Sequence, residues 1–162
     1  MDDCFFCKVK ANPTFSDIYD DDFYIGHLSG VPINPGHVEL FVKRHIPSIL
    51  ELNEAEQNDL IPAIKAVMQK LLHMDFKDYY SKILSTKPES YIKLYTQKML
   101  DLPFVGDKPV GFNVGINQGV AAGQTVMHLH IHVIPRFKGD CKDPTGGVRN
   151  FLNKLGDYKR FL

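Results

Sequence analysis

The sequence predicts an α+β domain, because two kinds of hydrophobic periodicity occupy separate stretches of one chain. Patterns typical of β-strands occupy residues 23–28, 37–42, 110–117 and 126–134. Residues 54–72 instead place apolar side chains on one face of a helix. The turn residues between Gly119 and Gly123 separate the last two strand patterns, which favours an antiparallel hairpin. A chain of 162 residues is long enough for one domain with a substantial core.

Three histidines on one face of the last predicted strand are the most informative feature of the chain. Alternation places Val126, His128, His130, His132 and Ile134 on one face, and Met127, Leu129, Ile131 and Val133 on the other. Pro135 is expected to end the strand, because proline cannot donate to a ladder. The apolar face can close a core, whereas three adjacent imidazoles add little to the stability of a strand and therefore suggest chemistry.

The loop before this strand predicts what the histidines act on. Gly123, Gln124 and Thr125 offer an amide, a hydroxyl and backbone N–H groups, which are suitable donors to phosphate oxygens. Imidazole beside a phosphate-binding loop suggests nucleophilic attack on phosphorus. The middle ring, His130, is the natural nucleophile if a backbone carbonyl holds its other nitrogen. His132 would then donate to a non-bridging oxygen, and Gln124 would stabilise the developing charge together with the amides near Thr125.

Two other interpretations of the histidine strand remain open at this point. Histidines on a strand are commonly surface residues or satisfied core residues, although strict alternation of three disfavours this interpretation. Three histidines on one strand also resemble a metal site. A metal site, however, would not need the phosphate donors that precede the strand.

Composition excludes several classes of partner. The net charge is zero, so no electrostatic argument favours nucleic acid or a membrane surface. No apolar run approaches the length of a membrane span. The acidic start, Met1-Asp2-Asp3, does not resemble a signal peptide. Three cysteines, an odd number, argue against a disulfide framework and favour a reducing, cytoplasmic location.

The N-terminal third of the chain carries a second group of chemically active residues. Cys4 and Cys7 form a Cys-x-x-Cys pair, which fits a redox pair, half of a zinc site, or two ordinary thiols. Residues 20–22 are three aspartates that predict a solvated turn before a strand. A loop at 30–36 then leads to His37, a histidine at the start of the next strand.

Two helical segments are expected between the second and third strand patterns. Asn53 and Glu56 match a capping box at a helix start. Pro62 lies inside the following pattern, so a kink or a later start is expected there. Residues 73–106 predict one further amphipathic helix with Pro88 at its first turn.

Taken together, Gly123–Arg136 resembles the signature of the histidine triad (HIT) family, His-x-His-x-His preceded by Gln-Thr-Val. Residues 4–46 are similar to the family's N-terminal half, with Cys-x-x-Cys, Asn-Pro-Gly-His and Lys-Arg-His in order. Residues 110–118 resemble the strand before the triad, whereas residues 73–106 match nothing typical and look like an insertion. The resemblance implies a five-stranded, mostly antiparallel sheet with helices, one domain over residues 1–162, and a homodimer.

The resemblance also implies a function and a set of site residues. Members of this family are nucleotide hydrolases and transferases that need no metal in the chemical step. Carried over by position, the catalytic residues are His128, His130 and His132, and the nucleotide-binding residues are Ser29, His37, Asn117, Gln124, Thr125 and Val126. The ligands of a structural zinc ion would be Cys4, Cys7, His45 and His128.

One of these positions departs from the family pattern. The family usually has Asp or Asn at the position of Ser29, where it bonds the ribose hydroxyls. A serine hydroxyl bonds more weakly than a carboxylate, so weak ribose recognition is expected and Ser29→Asp should tighten nucleotide binding by about 1 kcal/mol.

The segment after the triad resembles one branch of the family more than another. Pro-Arg-x-x-Gly-Asp and Gly-Gly-Val-Arg are similar to the dinucleoside polyphosphate hydrolases rather than the phosphoramidases. Arg136, Lys138 and Arg149 would then reach a polyphosphate tail, or lie in solvent. A nucleoside phosphoramidase, a nucleotidyl transferase and a nucleotide-binding regulatory protein remain alternatives. The last stretch, Val148–Leu162, is expected to form a short helix and tail.

Overall fold

The computed structural model describes residues 3–12, 17–86 and 89–145, apart from the side chains of Asp17 and Ser90. The elements in chain order are α1 (Phe5–Ala11), β1 (Asp17–Asp20), β2 (Tyr24–Leu28), β3 (Val38–Val42), α2 (Glu54–His73), α3 (Phe76–Ser85), α4 (Ser90–Leu100), β4 (Gly111–Gly115) and β5 (His130–Arg136). The strands form one five-stranded sheet in the order β1-β2-β3-β5-β4, and every neighbouring pair is antiparallel. This α+β architecture confirms the predicted fold. None of the described helices is long and apolar enough to cross a membrane.

The two faces of the sheet have different coverings because strand side chains alternate. On one face, Leu40 and Ile131 are buried in the main core together with Val67 of α2. On the other face, a second cluster packs Phe41 of β3 against Phe6 of α1. The opposite side of the sheet from the main core therefore carries the histidines, and α1 covers only part of it.

Helix α2 begins as predicted and then continues further than predicted. Asn53 Oδ1 accepts from Glu56 N at 2.9 Å, and Glu56 Oε2 accepts from Asn53 N at 2.8 Å, which completes the capping box. The helix runs through Pro62, so the later start does not occur. Pro62 and Asn58 are both exposed, and water can bond the carbonyl that the proline leaves without a donor.

The histidine strand starts later than predicted. Strand β5 spans His130–Arg136 rather than 126–134. Residues 126–129 bend instead, with His128 N donating to Val126 O at 2.8 Å and Leu129 N donating to Ile46 O at 2.6 Å. The hydrophobic alternation continues through this bend, and for this reason the sequence pattern did not reveal it.

Pro135 does not end the strand; this prediction was wrong. It pairs with Phe112 inside the β4–β5 ladder. Its carbonyl accepts from Asn34 Nδ2 at 2.9 Å, on the side where β3 has already ended at the pair Val38–Val133. The missing N–H of Pro135 faces that same side, so no ladder hydrogen bond is lost.

The insertion at 73–106 contains two helices, α3 and α4, instead of the single helix that was predicted. Asp75 caps α3 by accepting from Asp78 N at 2.9 Å. The proposed first-turn residue Pro88 lies outside the described residues, as do Arg149 and the stretch 148–162. Phe76 and Tyr80 of α3 are buried in the main core. The insertion is therefore part of the core and not a surface addition.

Helix α3 also holds the loop that leads to His37. The backbone N–H of Gly36 donates to the Tyr80 hydroxyl at 3.0 Å, and Gly36 adopts a φ of 78°. A Cβ at this position would overlap Cε1 of Phe76 and lie 2.7 Å from its Cζ. Glycine is required here both by the backbone conformation and by the close approach of the insertion.

We expect Gly36→Ala to lower the free energy of unfolding by about 3 kcal/mol, from left-handed strain and overpacking together. Gly139→Ala is the matched control, because Gly139 has a φ of 80° but nothing within 4 Å of an added Cβ. The control should lose only about 1 kcal/mol. Urea unfolding of the two variants measures the difference, and equal losses would show that Phe76 does not pack against this loop.

Candidate active site and metal centre

A cavity of about 430 Å³ opens on the sheet face that carries the histidines. Strands β3 and β5 form its floor, the loop between β2 and β3 forms one wall, and α1, α4 and the loop before β5 complete it. The lining residues are Phe5, Phe6, Ser29, Gly30, Val31, Ile33, His37, Glu39, Tyr91, Asn117, Gly123, Thr125, Val126, His130 and His132. Most of the residues predicted to bind nucleotide therefore meet in one place.

The orientation of His130 is determined by a backbone carbonyl. Its Nδ1 lies 2.8 Å from the carbonyl oxygen of His128, and a carbonyl only accepts, so Nδ1 carries the proton. Nε2 is then left with a free lone pair. The ring of Phe6 packs against the His130 ring with centroids 4.8 Å apart. His130 is thus a buried imidazole whose Nδ1 is used by the backbone, which leaves Nε2 as the nitrogen available for nucleophilic attack.

His132 and His37 form a hydrogen-bonded pair beside it. His37 Nε2 lies 3.0 Å from His132 Nδ1. Burial, and then the nearby His132, lowers the pKa of His37 to about 3, and burial also lowers the pKa of His132. Both rings are therefore neutral at pH 7, and the pair can offer an N–H as a hydrogen-bond donor to an oxygen bound in the cavity.

Only some of the predicted nucleotide-binding residues in the loop before β5 line the cavity. Thr125 is exposed and Val126 is half-buried at the rim, and Asn117 lies beside them. Gln124 does not line the cavity. It is buried, with Oε1 accepting from Gly119 N and Nε2 donating to Pro47 O, each at 2.8 Å. Its amide braces the loop instead of facing a phosphate.

Ser29 lines the cavity and contacts the carboxylate of Glu39, which the sequence motifs did not predict as part of the site. Its hydroxyl donates to Glu39 Oε1 at 3.1 Å. Glu39 lies on β3 directly opposite His132. Burial raises the pKa of Glu39, and the hydrogen bond from Ser29 opposes this effect. An acidic residue inside the otherwise apolar strand 37–42 was the signal that could have identified it.

Apolar side chains surround the mouth of the cavity, and the sequence motifs did not predict these either. Phe5, Val31, Ile33 and Tyr91 are between 41% and 68% exposed. Val31 and Ile33 belong to the loop before His37, where two apolar residues beside prolines were a weak signal. Tyr91 comes from the insertion, and no sequence pattern connected it to the site.

A cluster of metal-binding side chains lies next to the cavity. The ligand atoms of Cys4, Cys7, His45 and His128 all lie within 4.8 Å of one another. Cys4 Sγ is 3.4 Å from His128 Nδ1, and Cys7 Sγ is 3.3 Å from His45 Nδ1 and 3.7 Å from His128 Nδ1. Sulfur and nitrogen ligands of one tetrahedral zinc ion lie about 3.5 Å apart. The four side chains therefore fit such an ion.

His128 is oriented for this cluster and not for the cavity. Its Nε2 donates to Val42 O at 2.6 Å, so the Nδ1 lone pair points at the two sulfurs. The side chain is fully buried and does not line the cavity. Burial, and then the neighbouring Cys4, raises the pKa of the Cys7 thiol, an effect that a bound divalent cation would reverse.

Comparison with known proteins agrees with this arrangement of histidines. The family model described as HIT domain matches residues 11–139, most of the chain. The chain belongs to the HIT family. It is 31% identical over 112 residues to the asymmetrical bis(5'-nucleosyl)-tetraphosphatase of Schizosaccharomyces pombe, covering 69% of this chain and 44% of that protein. It is 24% identical over 156 residues to adenylylsulfatase HINT3 of Arabidopsis thaliana, covering 96% of this chain and 63% of that protein.

The solved structures include a metal-bound HIT protein. A zinc-bound histidine triad family protein from Mycobacterium smegmatis matches with a TM-score of 0.53 at 25% identity, covering 85% of this chain and 78% of that one. The family and its antiparallel five-stranded sheet are thereby confirmed. The chain spans less than two thirds of the length of the two curated relatives described above.

Arg136, one of the cations expected near a polyphosphate, is already paired in this HIT domain. Its Nε and Nη2 donate to the two carboxylate oxygens of Asp140 at 2.7 Å each. This pairing holds the pKa of the Asp140 carboxyl well below its usual range. Lys138 is exposed at the adjacent turn. Arg136 therefore stabilises the end of β5. Of the two predicted cations within the described residues, Lys138 is the one whose side chain lies at the surface.

His27, next to Glu39 in the sheet, gives the HIT domain a predicted pH dependence of stability. Burial lowers its pKa to about 4, because the Glu39 carboxylate, 3.8 Å away, is too far to offset burial by a hydrogen bond. In the unfolded chain its pKa is about 6.5, so the unfolded state takes up this proton first. The contribution of His27 to the free energy of unfolding is therefore fully present above about pH 6.5 and is lost as the pH drops toward 4.

The slope of the free energy of unfolding against pH reports how many more protons the unfolded state binds than the folded state. We expect His27→Gln to lower this difference by about one proton between pH 4 and pH 6.5. Urea unfolding at a series of pH values measures the slope for the wild type and the variant. All other titrating groups are common to both proteins, so the difference reports His27 alone. Equal slopes would show that His27 is not buried as a neutral ring.

Proposed function

We propose that this HIT protein is a nucleotide hydrolase or transferase that acts at an α-phosphate through a nucleotidyl-His130 intermediate. The contact between His130 Nδ1 and His128 O carries this proposal, because it leaves Nε2 as the nitrogen that can attack phosphorus in a nucleotide-sized cavity. His128 is then assigned to orienting His130 through its carbonyl and to the metal cluster through its ring.

The proposed reaction consists of two successive displacements at the α-phosphorus. The Nε2 lone pair of His130 attacks the α-phosphorus, and the bond to the leaving oxygen breaks with its electron pair on that oxygen. The His132–His37 pair donates a hydrogen bond to a non-bridging oxygen or to the departing oxygen, and the leaving group departs as an anion. Backbone N–H groups near Thr125 and Val126 stabilise the charge on phosphorus. Water then attacks the same phosphorus and loses a proton to solvent, the bond from phosphorus to Nε2 breaks with its electron pair on the nitrogen, and the nucleotide is released.

A dinucleoside polyphosphate is the favoured substrate. The apolar mouth formed by Phe5, Ile33 and Tyr91 suits a base, and the cavity is open beyond the phosphate position. The tetraphosphatase of Schizosaccharomyces pombe supports this assignment at 31% identity. Phosphoramidase or adenylylsulfatase activity is the second candidate, because the same attack on phosphorus needs only a different leaving group, and the Arabidopsis thaliana relative bears the latter name.

We further propose a structural zinc ion at Cys4, Cys7, His45 and His128. Their spacing suits a tetrahedral ion, and the Val42 carbonyl accepts from His128 Nε2, which directs the Nδ1 lone pair of this ring toward the ion. The ion would connect α1 to the segment before β5 and so hold Phe6 over His130. Cysteines kept reduced in the cytoplasm are consistent with this role.

The assembly proposed from the family resemblance is a homodimer. Strand β4 is at the edge of the sheet. Val110, just before it, is 75% exposed and Val114, within it, is 37% exposed, which supports pairing through this edge. Light scattering of the purified protein measures the mass directly.

A substrate panel tests the proposed function. The protein is incubated with diadenosine tri- and tetraphosphate, adenosine phosphoramidate and adenylylsulfate, and release of AMP is followed in each case. The diadenosine compounds are expected to be cleaved fastest. Faster cleavage of another compound would reassign the leaving group, whereas no nucleotide release from any of them would contradict the proposed reaction.

A further inference from the structure

Glu39 is a carboxylate in a strand that is otherwise apolar and buried. Its side chain is 14% exposed, and it lines the cavity beside His132 and His37. Removing a carboxylate from water costs free energy unless a cation or several donors compensate. Among the described residues no lysine or arginine forms an ion pair with Glu39. His27 Nε2 lies 3.8 Å from Glu39 Oε2, but burial lowers the His27 pKa to about 4, so this ring carries no positive charge at pH 7. Folding alone therefore gives little reason for an acid at this position.

The carboxylate is held by Ser29 and keeps free acceptor capacity. Ser29 Oγ accepts from Val31 N at 3.3 Å and donates its proton to Glu39 Oε1 at 3.1 Å. A carboxylate offers about four acceptor positions, and this contact uses one. The remaining lone pairs lie at the cavity wall, where a ligand can donate to them.

The strand register places this acceptor one sugar away from the reacting phosphorus. Phe41 pairs with His130 and Glu39 pairs with His132. Positions two residues apart on a strand are about 7 Å apart. A nucleotide whose α-phosphorus lies at His130 can therefore place its sugar beside Glu39, which lines the same cavity. The hydroxyl groups farthest from the 5'-phosphate are those on the 2'- and 3'-carbons.

We propose that Glu39 recognises the ribose by accepting hydrogen bonds from its vicinal 2'- and 3'-hydroxyls, with Ser29 holding the carboxylate in place. This inference rests on the proposed function and narrows the substrate class to ribonucleotides. Two O–H groups on adjacent carbons match two carboxylate oxygens, and such bonds are charge-assisted. The weak ribose recognition expected from Ser29 is then compensated from the neighbouring strand.

This assignment changes the expected effect of Ser29→Asp. An aspartate there would place a second carboxylate at hydrogen-bond distance from Glu39, and the two could not both ionise readily. The single substitution should therefore weaken ribose binding instead of tightening it. The double variant Ser29→Asp/Glu39→Gln again has one carboxylate in this contact, now at position 29 and not at position 39. Recognition of the ribose should therefore return.

The test compares the dissociation constants of AMP and 2'-deoxy-AMP by titration calorimetry. We expect the wild type to prefer AMP by roughly 10- to 100-fold, the range for hydrogen bonds to a charged group. Glu39→Gln should reduce this preference to a few-fold, and the double variant should restore most of it. Glutamine has the same shape and still accepts from Ser29, so the fold should survive. Glu54→Gln, an exposed acid on α2, is the matched control and should leave the preference unchanged.

Three outcomes would overturn the inference. Equal affinity of the wild type for the two nucleotides is the first, and an unchanged preference in Glu39→Gln is the second. The third is a second zinc ion per chain in the wild type that is lost in Glu39→Gln, together with no preference for AMP over 2'-deoxy-AMP. His37, Glu39 and His132 lie close enough to one another to hold such a cation. Failure of the proposed reaction would look different, since the AMP preference would persist while no covalent nucleotide forms on His130.

Discussion

Replacing His130 by alanine is expected to lower the rate of nucleotide cleavage by about ten-thousand-fold, in line with loss of a covalent nucleophile. Within the part of the chain that the structure describes, His130 is the only histidine of β5 whose Nδ1 contacts a backbone carbonyl and whose ring lines the cavity. Its loss removes the covalent route altogether. Steady-state release of AMP from diadenosine tetraphosphate measures the effect.

Nucleotide affinity should change little in the same variant, because other groups form the cavity. The dissociation constant of AMP is expected to stay within a few-fold of the wild-type value. His73→Ala is the control, since His73 is exposed in the last turn of α2 and far in sequence from the cavity residues. His130→Gly should regain part of its activity with added imidazole. Near wild-type turnover by His130→Ala would refute the assigned nucleophile.

Removing the metal should destabilise the protein more than any single surface substitution. Protein purified without added metal is expected to contain one zinc ion per chain by elemental analysis. A chelator should lower the melting temperature by about 10 °C, which corresponds to about 3 kcal/mol for a chain of this size. The loss arises because α1 is connected to the His128 segment mainly through Cys4, Cys7 and the small apolar cluster around Phe6.

Cysteine substitutions separate the metal site from general thiol effects. Cys7→Ser should lose the zinc ion and melt at the temperature of the chelated wild type. Cys141→Ser is the matched control, because Cys141 is exposed and lies outside the cluster. Some cleavage should remain in the metal-free protein, since His130 does not ligate the metal. Metal-free protein with full thermal stability would contradict the zinc site.

The side-chain periodicity of β5 was predictable from sequence because alternation is a local property of a strand. Leu129, Ile131 and Val133 are buried in the main core, as the period of two requires. The start of the strand was not predictable, since Leu129 pairs with Ile46, a residue distant in sequence. Hydrophobic alternation records which face is buried, and it does not record where hydrogen-bond partners begin.

The composition of the cavity shows the same limit. His37, Ser29 and Thr125 could be named because family motifs include them. Glu39 and Tyr91 could not, because they join the site through sheet register and through an insertion that the motifs do not cover. Gln124 shows the limit from the other side. A polar residue in a phosphate-like loop was predicted to face the ligand, whereas in the structure its amide bonds two backbone groups of the loops around it.

The proximity of the four metal ligands rested on resemblance and not on spacing. Cys7 and His45 are separated by 38 positions, and Cys4 and His128 by 124. No local pattern connects residues so far apart. Their placement depends on α1 folding over β3 and on the bend before β5, which are both tertiary features.

Acid-quenched mass spectrometry tests the central claim most directly. The protein is mixed with diadenosine tetraphosphate, quenched within the first turnovers, digested and searched for peptides that carry an added nucleotide. We expect one adduct, a nucleotidyl group on His130, that is absent from His130→Ala. The proposed mechanism would be contradicted by an adduct on another residue, or by multiple turnovers without any adduct on His130.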